Sequence, residues 1–292
     1  MRVTQLGSSR NLMTDLTKLN KSFSEANRQL SSGKKLLDLA DSPLGSADLV
    51  DITQQSLRLD TYRFNINAGS YQLKTADSVL NEANNVLTSI FTLGSEGANE
   101  TISSDSREAI GLQVKNLREQ MISIGNTTAD GNFIFSGTKV TTTPFVLSGG
   151  SVVYQGNSAT NAIPVADGVE VVAGVPGDVT FSAVFEAIDD LVAAFDADDL
   201  DAIQAALGKF PAAETELGQA RGRVGTSLGM VEKLSSMLDS REAVLTEQRS
   251  NIEDANALEV TVRISQLQTA IDAALSSGGA ILRQSNLFDT LG

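Results

Sequence analysis

The apolar positions of this chain fall into narrow stripes at helical spacing. Near the start Leu12, Leu16, Leu19, Phe23, Ala26 and Leu30 recur at intervals of three and four; near the end Val260, Ile264, Leu267, Ile271 and Ala274 do the same, continuing through Gly278 to Ile281. Such spacing marks the seam of a coiled-coil helix, one thin apolar face on a polar cylinder. Thr261, Arg263, Ser265, Gln266, Gln268 and Asp272 surround the second stripe, so only a partner helix can take its seam out of water. At 1.5 Å per residue the stripes run about 29 and about 32 Å. A chain that leaves its core and returns to it would pair two such ends antiparallel.

The first stripe closes at Ser31-Ser32-Gly33-Lys34-Lys35, where Gly33 can take the left-handed geometry that ends a helix. In Asp41-Ser42-Pro43, Ser42 is placed to cap the next helix and Pro43 to occupy its first position. Turn and cap roles account for Asp38 and Asp41 without a bound cation. From Leu49 a heptad register runs through Ile52, Leu59, Tyr62, Ile66, Leu73, Ala76, Leu80, Ala83 and Leu87 to Ile90, broken only by Ser56 and Gly69. That predicts a helix about 63 Å long. After a break at 94–104 comes Ile110, Val114, Leu117, Met121 and Ile124, a second helix expected to fold back on the first as an antiparallel hairpin.

The period changes at Asp130-Gly131-Asn132. Phe133 to Gly137, Val152 to Tyr154, Val169 to Val172 and Val179 to Phe181 are short β-prone runs between glycines, so 131–182 reads as a small β insertion. Gly149-Gly150 suits a hairpin turn; no lysine-bearing helix follows it, as a P-loop would require. The insertion is expected to be replaceable by a short turn, because the helices on either side carry registers of their own. Helical spacing resumes at Val184, Ile188, Leu191, Val192 and Phe195, then Leu200, Ile203 and Leu207 up to Pro211. Val224, Val231, Leu238, Leu245 and Ile252 recur every seven residues, and a step of eight then leads to Val260. This step reads as a stutter in a continuing helix.

Composition narrows the chemistry. Among 292 residues 5% are aromatic and none is tryptophan, which favours thin helices over a large globular core. The net charge of −14 is uneven: residues 1–40 hold seven bases against three acids, and 183–217 hold nine acids against Lys209. With no aromatics interleaved for base stacking, the basic end reads as a solvated helix flank and no nucleic acid is expected. Cysteine and histidine are both absent, which removes disulfides, thiolate nucleophiles, Ser-His-Asp triads and His-ligated zinc. Only carboxylate-pair chemistry stays formally open. No apolar run approaches a membrane span, and the first 30 residues hold no apolar signal core. Export, if it occurs, is expected without an ordinary cleaved signal.

The fold class expected is mainly α, a long antiparallel helical bundle or coiled-coil rod with a small β-rich insertion. The segments are 1–44, a terminal helix and turn; 45–130, a helical hairpin; 131–182, the insertion; 183–256, returning helix; and 257–292, the second terminal helix.

Several local sequences carry a resemblance: Met1-Arg2-Val3-Thr4, Gln29-Leu30-Ser31-Ser32-Gly33-Lys34-Lys35, Ala40-Asp41-Ser42-Pro43, Tyr62 with Asn65, Gly131 to Gly137 leading to Thr143-Pro144-Phe145, and Gln284-Ser285-Asn286-Leu287-Phe288-Asp289. In this order they resemble the flagellin-like family, and within it the members that form the hook-filament junction. The likeness covers both terminal thirds and only the edges of the centre. Flagellins proper share the Leu-Ser-Ser-Gly turn and the heptad helices, which keeps a filament subunit as the second reading. The resemblance implies a structural, non-enzymatic subunit without cofactor or metal, secreted through the flagellar type III apparatus. Its implied partners are identical copies, the first hook-associated protein, flagellin and an export chaperone, with no membrane. Its terminal segments would order and pair on assembly, and the assembly surface would comprise Leu12, Leu16, Leu19, Phe23, Leu30, Val260, Ile264, Leu267, Ile271, Ile281 and Leu287.

Overall fold

The computed structural model describes the backbone of residues 2–38 and 42–289, with side chains over Gly7, 10–38 and 42–279. Asp41, read above as part of a cap, lies outside the described residues. Within them the chain is mainly α, with three separate two-stranded antiparallel sheets.

Helix α1 (Arg2–Ser32) ends where expected, with Gly33 at φ +70°. Helix α2 (Pro43–Gly97) starts on Pro43, and the Ser42 Oγ accepts the Gly45 N–H at 3.2 Å. It then runs 55 residues through both gaps in its register. Gly69 is buried in that helix, and a Cβ there would lie 3.3 Å from Ile163 Cδ1 of the insertion. The missing side chain makes room for a neighbour.

Helix α3 (Ser104–Gly125) is capped by the Ser103 hydroxyl. Its closest backbone neighbour is α4 (Asp178–Asp196), which the hairpin expectation did not include. Phe195 of α4 explains the arrangement: a Cβ on Gly97 of α2 would lie 2.5 Å from its ring, and one on Gly111 of α3 would lie 3.0 Å from its Cβ. Two glycines thus open the α2–α3 corner to an aromatic ring from a third helix.

The insertion holds β1 (Thr128–Ala129) with β2 (Asn132–Phe133), β3 (Phe145–Ser148) with β4 (Ser151–Tyr154), and β5 (Ala162–Ala166) with β6 (Val169–Val172). Gly149 and Gly150 form the β3–β4 turn at φ +62° and +95°. Two strand expectations fail. Ile134 and Phe135 are buried loop residues, and Val179 to Phe181 lie in the first turn of α4. There Thr180, Phe181, Val184, Phe185, Ile188 and Leu191 form one continuous buried helical face, so tertiary packing overrides the β propensity of single residues. The packing of the insertion argues against its being dispensable, because its aromatic rings enter the core beside α4. Phe145 packs tilted against Phe185 at 4.8 Å and edge-on against Phe181 at 5.4 Å, and Phe135 meets Phe181 edge-on at 5.0 Å. These distances are those of favourable aromatic pairs inside a core.

Helix α5 (Leu200–Leu207) is capped by Asp199, and α6 (Phe210–Glu253) carries Pro211 in its first turn. The expected stutter is a full break at 254–256, after which Asn256 caps α7 (Ala257–Asp289) through the Leu258 N–H at 3.1 Å. The chain divides into two compact units, 1–57 with 241–292, and 58–240. The second contains the large core, including Leu73, Leu80, Ile90, Met121, Ile188 and Leu217. Among the described residues of the first, the buried apolar side chains are Ala26, Ile52, Leu245 and Val260.

Candidate assembly interface

The turn after α1 and the break before α7 form a clasp. Lys34 and Asp254 make an isolated antiparallel bridge. Around it the Lys35 N–H donates to the Glu253 carbonyl at 2.7 Å and the Ala255 N–H to the Gly33 carbonyl at 2.8 Å. Side chains add to it: Lys34 Nζ donates to Glu253 Oε1, Arg249 Nε donates to Glu253 Oε2 at 3.0 Å, and Lys35 Nζ donates to the Asn251 carbonyl at 2.6 Å. The hydrogen bond from Lys34 holds the Glu253 carboxyl below its ordinary value against the opposing effect of burial, with Arg249 assisting. The clasp fixes the register of α1 against α7 at one end.

From that end the two helices run antiparallel, so that Leu12 of α1 meets Gly278 of α7 at the other. Ala26 and Val260 are buried, while Leu12, Leu16, Leu19, Phe23, Ile264, Leu267 and Ile271 are only partly covered. Leu30 is 41% exposed and belongs to the seam by register alone. At the far end Gly278 is buried beneath Leu12; a Cβ there would lie 2.5 Å from Leu12 Cδ2. The apolar register continues across this glycine because the helices meet closely there. The side chains of Ile281 and Leu287 lie outside the described residues.

A seam of two helices has a partner on one side only, which is why most of its residues remain partly wet. Further burial of that surface is worth about 25 cal/mol per Å², so the face can do work by receiving more helix. The clasp residues Lys34, Lys35 and Glu253 are absent from the assembly set read off the sequence. Their signal was the eight-residue step from Ile252 to Val260 with Asp254-Ala255-Asn256 inside it.

Many of the described charges in these segments are paired. At the basic end Lys18 lies near Asp15, Lys21 near Glu25 and Arg28 near Asp38, all exposed. In the acidic segment Lys209 spans Glu186 and Asp190 at 2.6 and 2.5 Å, Lys115 meets Asp196 at 2.6 Å, and Arg107 meets Asp198 at 2.5 Å. Hydrogen bonds donated by Arg107 and Ser104 lower the pKa of the Asp198 carboxyl, and those that Lys209 donates to Asp190 and Glu186 raise the pKa of its own amine. Among the described residues no His, Cys, Asp or Glu group could hold a metal, and no helix is long and apolar enough to cross a membrane.

Tyr62 and Asn65 also find their roles. The Tyr62 hydroxyl donates to Asp167 at 2.7 Å and Asn65 Nδ2 to the Pro164 carbonyl at 2.7 Å, fastening the β5–β6 hairpin to α2. That hydrogen bond to the carboxylate raises the tyrosine pKa.

The profile of the bacterial flagellin N-terminal helical region matches residues 3–140. Flagellar hook-associated protein 3 of Escherichia coli is 24% identical over 290 residues, covering 90% of this chain and 91% of that protein. Flagellin A of Vibrio anguillarum is 32% identical, but over 41% of this chain and 32% of its own length. Among solved structures, the flagellar junction protein FlgL of Legionella pneumophila superposes with a TM-score of 0.60 at 14% identity, covering 70% of this chain and 99% of that one.

Proposed function

We propose, for a chain that belongs to the flagellin-like family, the role of hook-filament junction subunit: a structural adaptor between the first hook-associated protein and the flagellin filament. The observation that carries this reading is the α1/α7 pair, fixed in register by the clasp and left open along its seam. A paired but uncovered coiled coil is what a subunit needs if it completes its core only among neighbours. The extent of likeness favours the junction over the filament: the hook-associated relative matches across nine-tenths of this chain, the flagellin across about two-fifths.

The assembly surface on this reading comprises Leu12, Leu16, Leu19, Phe23 and Leu30 of α1 and Val260, Ile264, Leu267 and Ile271 of α7, extended by Ile281 and Leu287. The terminal segments 1–44 and 257–292 order fully when they meet copies of themselves and the two neighbouring proteins. The subunit reaches its extracellular position by the flagellar export route, escorted by a chaperone. Complementation tests the role: cells lacking the native protein should make capped hooks and shed flagellin to the medium, and the cloned gene should restore filaments. Normal filaments without it would remove the junction role.

A further inference from the structure

Two surface features of the 58–240 unit lie on different sides of α2. The first is a ridge on α2. Phe64 is 73% exposed and Tyr71, seven residues on, is 52% exposed, in a chain that is lean in aromatic residues throughout. The second is an apolar groove of about 610 Å³ between α6 and the segment joining β6 to α4. Its floor includes Leu73 and Val224, both buried, and its walls are Val172 and Val179, each nearly half exposed. Gly222 and Gly225 of α6 flank Val224, and a Cβ on either would meet nothing within 4 Å. Alanine is the better helix former at an exposed interior position, so α6 carries a stability penalty beside an open groove.

The ridge lies on the side of α2 opposite Leu73, which lines the groove. Nine residues separate Phe64 from Leu73, which at about 100° per residue places them on opposite sides of α2. A protruding surface and a complementary recess on opposite sides of one molecule produce a head-to-tail contact, which repeats around a ring or along a helix of copies. The charges agree as well. Asp60 stands one turn before Phe64 on the ridge, and Arg223 lines the groove, its guanidinium donating to the Val179 carbonyl at 3.2 Å.

We infer that Phe64 and Tyr71 of one copy seat in the Leu73–Val179–Val224 groove of the next, with Asp60 approaching Arg223. This deepens, and rests on, the reading of the chain as a self-assembling junction subunit. The contact is separate from the terminal helices, so it can hold neighbouring copies side by side while α1 and α7 complete the seam.

The chain has no cysteine, so cross-linking is clean. In cells lacking the native protein, copies carrying Tyr71→Cys are co-expressed with copies carrying Val179→Cys, and isolated flagella are oxidised. The expected product is a covalent dimer present only when both variants are present. In parallel, Phe64→Glu is expected to reduce the fraction of filament-bearing cells at least tenfold with an unchanged melting midpoint, since that side chain is solvated in the free subunit. Full filaments without the mixed dimer, or full filaments from Phe64→Glu, would overturn this contact while leaving the junction role intact. Loss of the junction role would instead appear as failure of the unaltered gene to restore filaments.

Discussion

Arg118 Nη1 donates to Asp189 Oδ1 at 3.1 Å, and both side chains are nearly buried, at 9% and 13% exposure. The same guanidinium donates to the Gly150 carbonyl at 2.9 Å, and Asp189 Oδ2 accepts the Val152 N–H at 2.7 Å. One ion pair therefore joins α3, α4 and the β3–β4 hairpin. Asp189→Ala strands a buried cation and an amide together, and the expected loss is about 3–5 kcal/mol in urea denaturation. The exposed Lys115–Asp196 pair is the control, and breaking it by Lys115→Ala should cost about 1 kcal/mol or less.

The aromatic cluster makes the insertion part of the core. Phe145→Ala removes a ring packed against Phe181 and Phe185, and the expected loss is about 3–5 kcal/mol. Replacing 131–177 by a short turn should abolish the cooperative melting of the 58–240 unit. A deletion variant that melts as sharply and as late as the parent would show that the helices are self-sufficient.

Glu253 gives the clasp a pH dependence with a definite sign. Its carboxyl lies below its ordinary value of 4.5 in the folded chain, so its contribution is complete above that value and is lost as pH falls through the lower folded one. Amide exchange at Lys35 and Ala255, whose N–H groups close the clasp, should accelerate relative to the 58–240 core as pH drops through this range. Glu253→Gln should remove most of the difference.

Much of the helical architecture could be read from spacing alone. The stripes from Leu12 and Val260 found each other antiparallel, and Gly33, Ser42 and Pro43 ended and began helices through their own backbone chemistry. What could not be read was packing across long separations. Gly69, Gly97 and Gly111 look like weak points in their helices until Ile163 and Phe195 are seen beside them. Val179 to Phe181 have strand propensities, but the face they share with Val184 and Ile188 decides their conformation. In the candidate interface the register named the seam, while its degree of exposure and the Lys34–Glu253 clasp depended on three-dimensional placement.

Leu267→Asp with Ile271→Asp separates the two tasks of the terminal helices. On solvated positions such changes would cost about 0.5 kcal/mol or less, but both residues are partly buried against α1. The free subunit should therefore lose local stability, on the order of 1–3 kcal/mol, read as faster amide exchange along α1 and α7. The main melting transition should stay in place, because the large hydrophobic core lies wholly within 58–240. In the assembly each carboxylate would enter an apolar seam closed on its remaining side by neighbouring helices, where an unpaired charge has no compensation. Filament attachment should then be abolished at every level of expression. A main transition shifted far down would mean that the terminal pair supports the central core, and filaments of full length would mean that the Val260–Ile271 face is not where copies join.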